Sequence, residues 1–119
     1  MTKELKSWSF AVDNDRLVKL VLEGKKTATT SIYNGIVDEE GAESILTHTN
    51  KEPACITKTI KNVIIEFKNV DWNLAKLEGE NNNLDEWREE HYKLFKSLDN
   101  NFNDKTKVVI ELFEVTKKY

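Results

Sequence analysis

Leu17–Ile32, LVKLVLEGKKTATTSI, changes period midway. Apolar residues recur at helical spacing through Leu17, Leu20 and Val21, and after Gly24 the composition turns to Thr, Ser and Ile. The switch predicts a short helix, entered at Asp13 or Asn14 and closed by Gly24, that hands the chain directly to a strand over Thr27–Ile32. The junction, Gly24–Ser31, brings two amines and four hydroxyls together. Ammonium groups recognise phosphate or act as bases when desolvated, and a hydroxyl beside such a base becomes a nucleophile. The same residue types also suit an exposed polar strand. The spacing is not that of a P-loop, whose lysine follows a second glycine at the opening of a helix. Here the lysines follow a helix, at its negative end. In a straight extended strand Lys26 and Thr29 point to opposite faces, so their meeting requires a twist near Thr27.

Outward from this stretch, Trp8 and Phe10 alternate with polar neighbours, as in an entry strand packed on the core. Asn34-Gly35 and the acidic run to Gly41 read as turn and loop, followed by a strand over Glu43–Thr49. A turn at Asn50–Pro53 precedes a long strand, Ala54–Phe67, with a bend at Asn62. Asp71–Leu77 reads as a short capped helical turn, and EGENNN breaks it. A second helix then carries Leu84, Trp87, His91, Leu94, Phe95 and Leu98 as one stripe, with acids early and lysines late. Val108–Val115, almost continuously apolar, reads as a central covered strand. Helix, strands, helix, strand with turns that favour antiparallel pairing makes the class α+β, a small curved sheet or barrel flanked by helices.

A chain of 119 residues with 33% charged and 39% apolar residues suits one soluble domain, 1–119. A formal charge of -3 disfavours binding to nucleic acid by bulk charge but permits a local basic cleft. One cysteine and two histidines leave no spacing typical of a zinc site, so neither a metal nor a cofactor is expected. Cys55, with no histidine beside it, reads as a buried small hydrophobe. No apolar run reaches the roughly 20 residues that span a bilayer, and no signal-peptide core is evident, so a cytoplasmic protein is expected. His91, one helical turn from Trp87, reads as a packed, hydrogen-bonded histidine. Glu78 and Glu80 lie in a loop where carboxylates orient an amine or water, and Gly79 lets the chain turn inward.

Taken together, Trp8-Ser9-Phe10, LVLEGKKTATTS at Leu20–Ser31, AKLEGENNNLDEWREEH at Ala75–His91 and VVIELFEV at Val108–Val115 resemble an ASCH domain over nearly the whole chain. The resemblance implies a PUA-like fold, a small β-barrel with flanking helices, and a cleft for nucleobases, nucleosides or RNA. The chain is similar to a branch of small amidohydrolases that deacetylate N4-acetylcytidine. That similarity implies Thr29 as nucleophile, Lys26 as its base and Glu80 as the group handling the leaving nitrogen, with Lys25, Thr27, Glu78 and Trp87 as substrate contacts. Other ASCH relatives bind or cleave RNA, which implies instead that Lys25, Lys26 and Lys58 meet phosphates while aromatic rings stack on bases. Two positions depart from the family pattern: Glu40-Gly41-Ala42 replaces a Val-Gly-Asp turn, and Asn81 stands where glycine is frequent.

Overall fold

The computed structural model describes residues 5–119; residues 1–4 of the expected domain lie outside the described residues. Along the chain run β1 (Lys6–Trp8), α1 (Asn14–Leu22), β2 (Ala28–Ile32), β3 (Glu43–Thr47), β4 (Pro53–Glu66), α2 (Trp72–Ala75), α3 (Leu84–Leu98) and β5 (Lys107–Lys118). Short 3-10 turns occupy Phe67–Asn69 and Lys76–Glu78. The strands form one sheet in the order β1-β3-β4-β5-β2. Pairing is antiparallel except between β1 and β3, which run parallel, a departure from the antiparallel reading of the turns.

β5 is a central strand, as its apolar run requires, with β4 on one side and β2 on the other. Val108 and Ile110 pack into a core with Phe67, Trp87, Phe95 and Phe102, beneath α3. Phe113 joins a second core with Val18, Val21, Leu46, Ala54 and Cys55, beneath α1. Cys55 is fully buried there, and burial pushes its thiol above the usual range.

Local chemistry sets the boundaries. Asn83 caps α3 by accepting from the Glu86 amide at 2.9 Å, and Asp71 caps α2 by accepting from Leu74 at 3.0 Å. At α1 the residue before the helix, Asp13, makes no capping bond and pairs with Arg16 instead, while Asn14 accepts from the Phe10 amide at 2.7 Å and ties the entry segment down. The strand expected over Glu43–Thr49 stops at Thr47, because His48–Lys51 closes a tight turn with Lys51 at φ 72°. The bend expected at Asn62 falls at Ile60 instead. Register against β5 slips between Thr59 and Lys61, leaving Ile60 as the extra, half-exposed residue of a bulge.

This bulge and the slip at Ile56/Thr57 curve the long strands, and the two edges of the sheet come to line a single cavity. Trp8 of β1 stands on one side of it and Thr29–Ile32 of β2 on another. Among the described residues no pairing joins β1 to β2, so the cavity occupies the seam that a closed barrel would seal.

The two sequence blocks that flank the cavity are clamped through their backbones. The Thr27 amide donates to the Leu77 carbonyl at 2.8 Å, and Gly79 lies so close to Lys25 that an added Cβ would stand 2.1 Å from the Lys25 carbonyl oxygen. Gly79 also has φ 70°, so a side chain is excluded twice over. Gly79→Ala is expected to lower stability by roughly 2 kcal/mol or more in urea unfolding. Gly35→Ala, at φ 91° with no atom within 4 Å of the added Cβ, is expected to cost only the backbone term of about 1 kcal/mol.

Candidate functional site

The cavity floor is built around one buried carboxylate. Glu78, 2% exposed at the end of the second 3-10 turn, accepts from Lys26 Nζ on Oε1 at 3.1 Å. Its Oε2 accepts from Thr30 Oγ1 at 3.1 Å, from His91 Nε2 at 3.0 Å and from the indole nitrogen of Trp87. The donors come from three parts of the chain: the junction after α1, the edge strand β2 and one face of α3. Trp87 and His91 reach the same oxygen because they are one helical turn apart, their rings stacked at 4.3 Å between centroids.

Lys26 is as buried as its partner and also donates to Glu80 Oε2 at 2.9 Å. Its ammonium lies 5.3 Å from the centre of the Phe10 ring. Glu80 is the more open of the two acids, with 12% of its side chain exposed, and its other oxygen lies 3.5 Å from Arg16. Glu78, Glu80 and His91 offer ligand atoms within 4.8 Å of one another, a spacing a metal ion can use. The Lys26 ammonium is already bonded to both carboxylates, so the cluster carries its own cation.

Burial works against the charge on Glu78, but the bond from His91, the charges of Lys26 and His91 and the bond from Trp87 outweigh it and hold its pKa at about 2. Burial likewise disfavours imidazolium, yet the bond and charge of Glu78, the Trp87 carbonyl and Glu80 raise the His91 pKa above its ordinary value. The geometry agrees: Nδ1 lies 2.8 Å from the Trp87 carbonyl oxygen and Nε2 faces a carboxylate, so both ring nitrogens meet acceptors.

The cavity, about 410 Å³, is large enough for a nucleoside-sized ligand. Lys26, Thr29, Glu78 and Glu80 all line it, as the resemblance requires of the three reacting groups. Lys26 and Thr29 reach one cavity because Lys26 precedes the strand proper, held in the turn that starts β2 at Ala28. Three expected substrate contacts are not on this wall. Lys25 projects into solvent near Glu23 at 3.9 Å, and Thr27 directs its hydroxyl to the Leu77 carbonyl at 3.3 Å. Trp87 is fully buried, stacked on Phe67, and touches the site through Glu78 and His91 rather than facing the cavity itself. Asn81, in place of the family's frequent glycine, has no positive φ and bonds Glu90 at 2.9 Å.

Other lining groups carry weaker sequence signals. Trp8 and Phe10 form an edge-to-face pair, 4.9 Å between centroids, at the β1 side. Thr30 was legible only as one hydroxyl among four. Glu111 and Asp38 line the far side; Glu111 is betrayed by being a charge inside the apolar run VVIELFEV.

The fold is a small α+β sheet curled around a lysine-carboxylate cavity. The ASCH domain family model matches residues 6–117, and the chain belongs to that family. Its structure is similar to protein EF3133 from Enterococcus faecalis V583, with TM-score 0.87 and 28% identity over 100% of this chain and 84% of that one. An ASCH domain from Lactobacillus crispatus JV V101 superposes with TM-score 0.87 at 22% identity, covering 96% and 80% of the two chains. ZmASCH from Zymomonas mobilis is a more distant likeness, TM-score 0.59 at 14% identity, covering 92% and 67%. No curated protein matches by sequence. Among the described residues no helix is long and apolar enough to cross a membrane.

The two shifted groups set a pH window. Glu78 is held below its unfolded value, so its contribution to stability is present above about pH 4.5 and is lost as pH falls towards 2. His91 is raised, so its contribution is complete below pH 6.5 and is lost as pH rises through the folded value. The urea midpoint is expected to be highest between these limits and to fall on both sides. His91→Gln is expected to flatten the alkaline fall and to weaken, without removing, the acid one, since Lys26 and Trp87 still hold Glu78 down.

Proposed function

We propose that this ASCH domain binds an N4-acylated cytidine in the seam cavity and hydrolyses its amide. The observation that carries the reading is the convergence of Lys26, Thr29 and Glu80 on one cavity from blocks about fifty residues apart in sequence. Trp8 and Phe10 supply an aromatic wall for the base. The Thr29 hydroxyl attacks the acyl carbon, and a C–O bond forms as the C–N bond breaks. The exocyclic nitrogen leaves as the amine of cytidine, taking a proton, and water then releases acetate from the acyl-threonine.

Lys26 is engaged by two carboxylates in the resting protein, so it takes the threonine proton only by first passing its own to a neighbour. Glu80 is the suitable acceptor, because Glu78 already accepts from four groups while Glu80 faces the cavity. Lysine and Glu80 thus act as one relay, with the protonated partner supplying the leaving nitrogen.

The rival reading, an RNA-binding or RNA-cleaving module, is equally compatible with family membership. Of its three expected phosphate contacts, Lys25 and Lys58 lie outside the cavity and Lys26 is buried beneath two acids, while the cavity is lined by Asp38, Glu78, Glu80 and Glu111 against Lys26 and His91. That balance favours an uncharged base over a phosphate backbone. A PUA-like barrel, here open at one seam, and a cytoplasmic setting in which Cys55 stays reduced belong to the same proposal.

Purified protein is expected to convert N4-acetylcytidine to cytidine and acetate, followed by chromatography. Thr29→Val, a near-isosteric change, is expected to lower kcat roughly 10³-fold or more with the urea midpoint retained. Full activity in that variant excludes the acyl-threonine route. Lys26→Ala is a poorer probe, since it leaves two acids without their cation and is expected to destabilise by about 3–5 kcal/mol. RNA affinity that falls with salt, without turnover of the nucleoside, favours the rival.

A further inference from the structure

Beside Thr29 the cavity holds a second polar group that the reaction above does not use. Glu111 lies within the apolar run of β5 and is paired in register with Thr29 across the β2–β5 ladder. In-register residues present their side chains on the same face of a sheet, with Cβ atoms about 4.5–5.5 Å apart. Both residues line the cavity. One Glu111 oxygen, Oε2, is fixed by the Thr59 hydroxyl, which donates at 2.5 Å from β4.

The groups facing Glu111 are few. On β4, Thr59 donates to it and Asn62 is its register partner. On β2 stands Thr29. From the loop after β2 comes Asp38, which lines the same cavity and is itself 3.7 Å from Lys6 of β1. Lys26 and His91 line the same cavity but are turned to Glu78. With Oε2 accepting from Thr59, Glu111 keeps a second oxygen that can carry a proton, at the edge of a space sized for a base.

We propose that Glu111 is the specificity residue of this cavity, pairing in two-point fashion with an amidine edge, a ring nitrogen beside an exocyclic N–H, and so selecting aminopyrimidines over their oxo counterparts. The inference rests on the base-binding reading of the site and deepens it. One proton is shared between the carboxyl and the ring nitrogen, while the other carboxyl oxygen accepts from the exocyclic N–H. Because Thr59 holds Oε2 as the acceptor, the proton rides on the other oxygen, and uracil, which presents an N–H and a carbonyl at the corresponding positions, sets donor against donor and acceptor against acceptor. The arrangement also explains the register: the exocyclic nitrogen held by Glu111 is the nitrogen of the scissile amide, and Thr29 is the in-register neighbour. Burial raises the Glu111 pKa; the Thr59 bond opposes that rise, and the charge and bond of Asp38 reinforce it, so the proton is available nearer neutrality than for a free carboxyl.

The test is equilibrium binding of cytidine and uridine, by calorimetry or NMR titration, from pH 5 to 8. Wild-type affinity for cytidine is expected to weaken by up to about tenfold per pH unit above the Glu111 transition, because one proton is taken up on binding. Glu111→Gln offers an amide N–H and a carbonyl to the same edge. It is expected to keep cytidine affinity within about threefold of the low-pH wild type and to abolish the pH dependence. Glu111→Ala is expected to lose at least about tenfold in affinity together with the preference over uridine. Asp38→Asn is expected to move the transition to lower pH.

A purely structural Glu111 predicts the same pH profile in wild type and Glu111→Gln, and that result overturns the proposal. So does retained discrimination in Glu111→Ala, or an absence of cytidine binding at every pH. Proton-linked cytidine binding in a protein that fails to hydrolyse N4-acetylcytidine refutes the hydrolytic reading and upholds the role of Glu111. Hydrolysis by a protein whose cytidine affinity ignores both pH and residue 111 does the reverse.

Discussion

The carboxylate of Glu78 is the constraint on which the site depends. An ionised acid out of water is tolerated only when its oxygens are filled by donors, and four groups meet that need: Lys26, Thr30, Trp87 and His91. Satisfying one carboxylate therefore pins the junction after α1, the edge strand β2 and the inner face of α3 to each other. The backbone clamp between Thr27 and Leu77 and the close approach of Gly79 to Lys25 hold the same two blocks in position. Buried ion clusters are weak sources of net stability compared with well-packed apolar side chains of similar volume. A cluster of this size on a cavity floor is better explained by what it presents to the cavity: an ammonium, a second carboxylate and a hydroxyl at fixed separations.

The cavity has a division of labour set by burial. Glu78 is enclosed and saturated, and acts as a scaffold; Glu80, one turn of glycine later, keeps an edge towards the open space. The alternation Glu-Gly-Glu thus separates a structural acid from an accessible one, because Gly79 at φ 70° reverses the chain between them. Next to Thr29 in the sheet, Glu111 sits in a different setting, with the Thr59 hydroxyl on one oxygen and Asp38 in the same cavity. Acids with such different surroundings take different protonation behaviour, which is the arrangement that acid–base and recognition chemistry both use.

Much of this was legible in the sequence. The period change at Gly24 marks the end of α1, and the stripe Leu84–Leu98 marks α3, because local periodicity is set by which face is buried. The α+β class and the resemblance to ASCH domains rest on motifs, and the family match over residues 6–117 bears out the latter. What sequence could not provide was long-range closure. The parallel pairing of β1 with β3, the bulge at Ile60 rather than Asn62 and the opening of the sheet at one seam arise from tertiary curvature. The burial of Lys26 was equally hidden, since lysine is common on binding surfaces, whereas that of Trp87 follows from its place on the apolar stripe of α3. Glu111 left one trace, a charge within an apolar strand, which is interpretable only once its register with Thr29 is known.

The proposed reaction needs an acylated aminopyrimidine held in the seam cavity for attack by Thr29. The most direct measurement is a crystal structure of the Thr29→Val protein soaked with N4-acetylcytidine. The base is expected in the cavity beside Trp8 and Phe10, its exocyclic nitrogen towards Glu111 and its acetyl carbon within about 3.5 Å of the position 29 side chain. A nucleoside bound elsewhere on the molecule, or one seated in the cavity with its acetyl group turned away from Thr29 and Lys26, contradicts it.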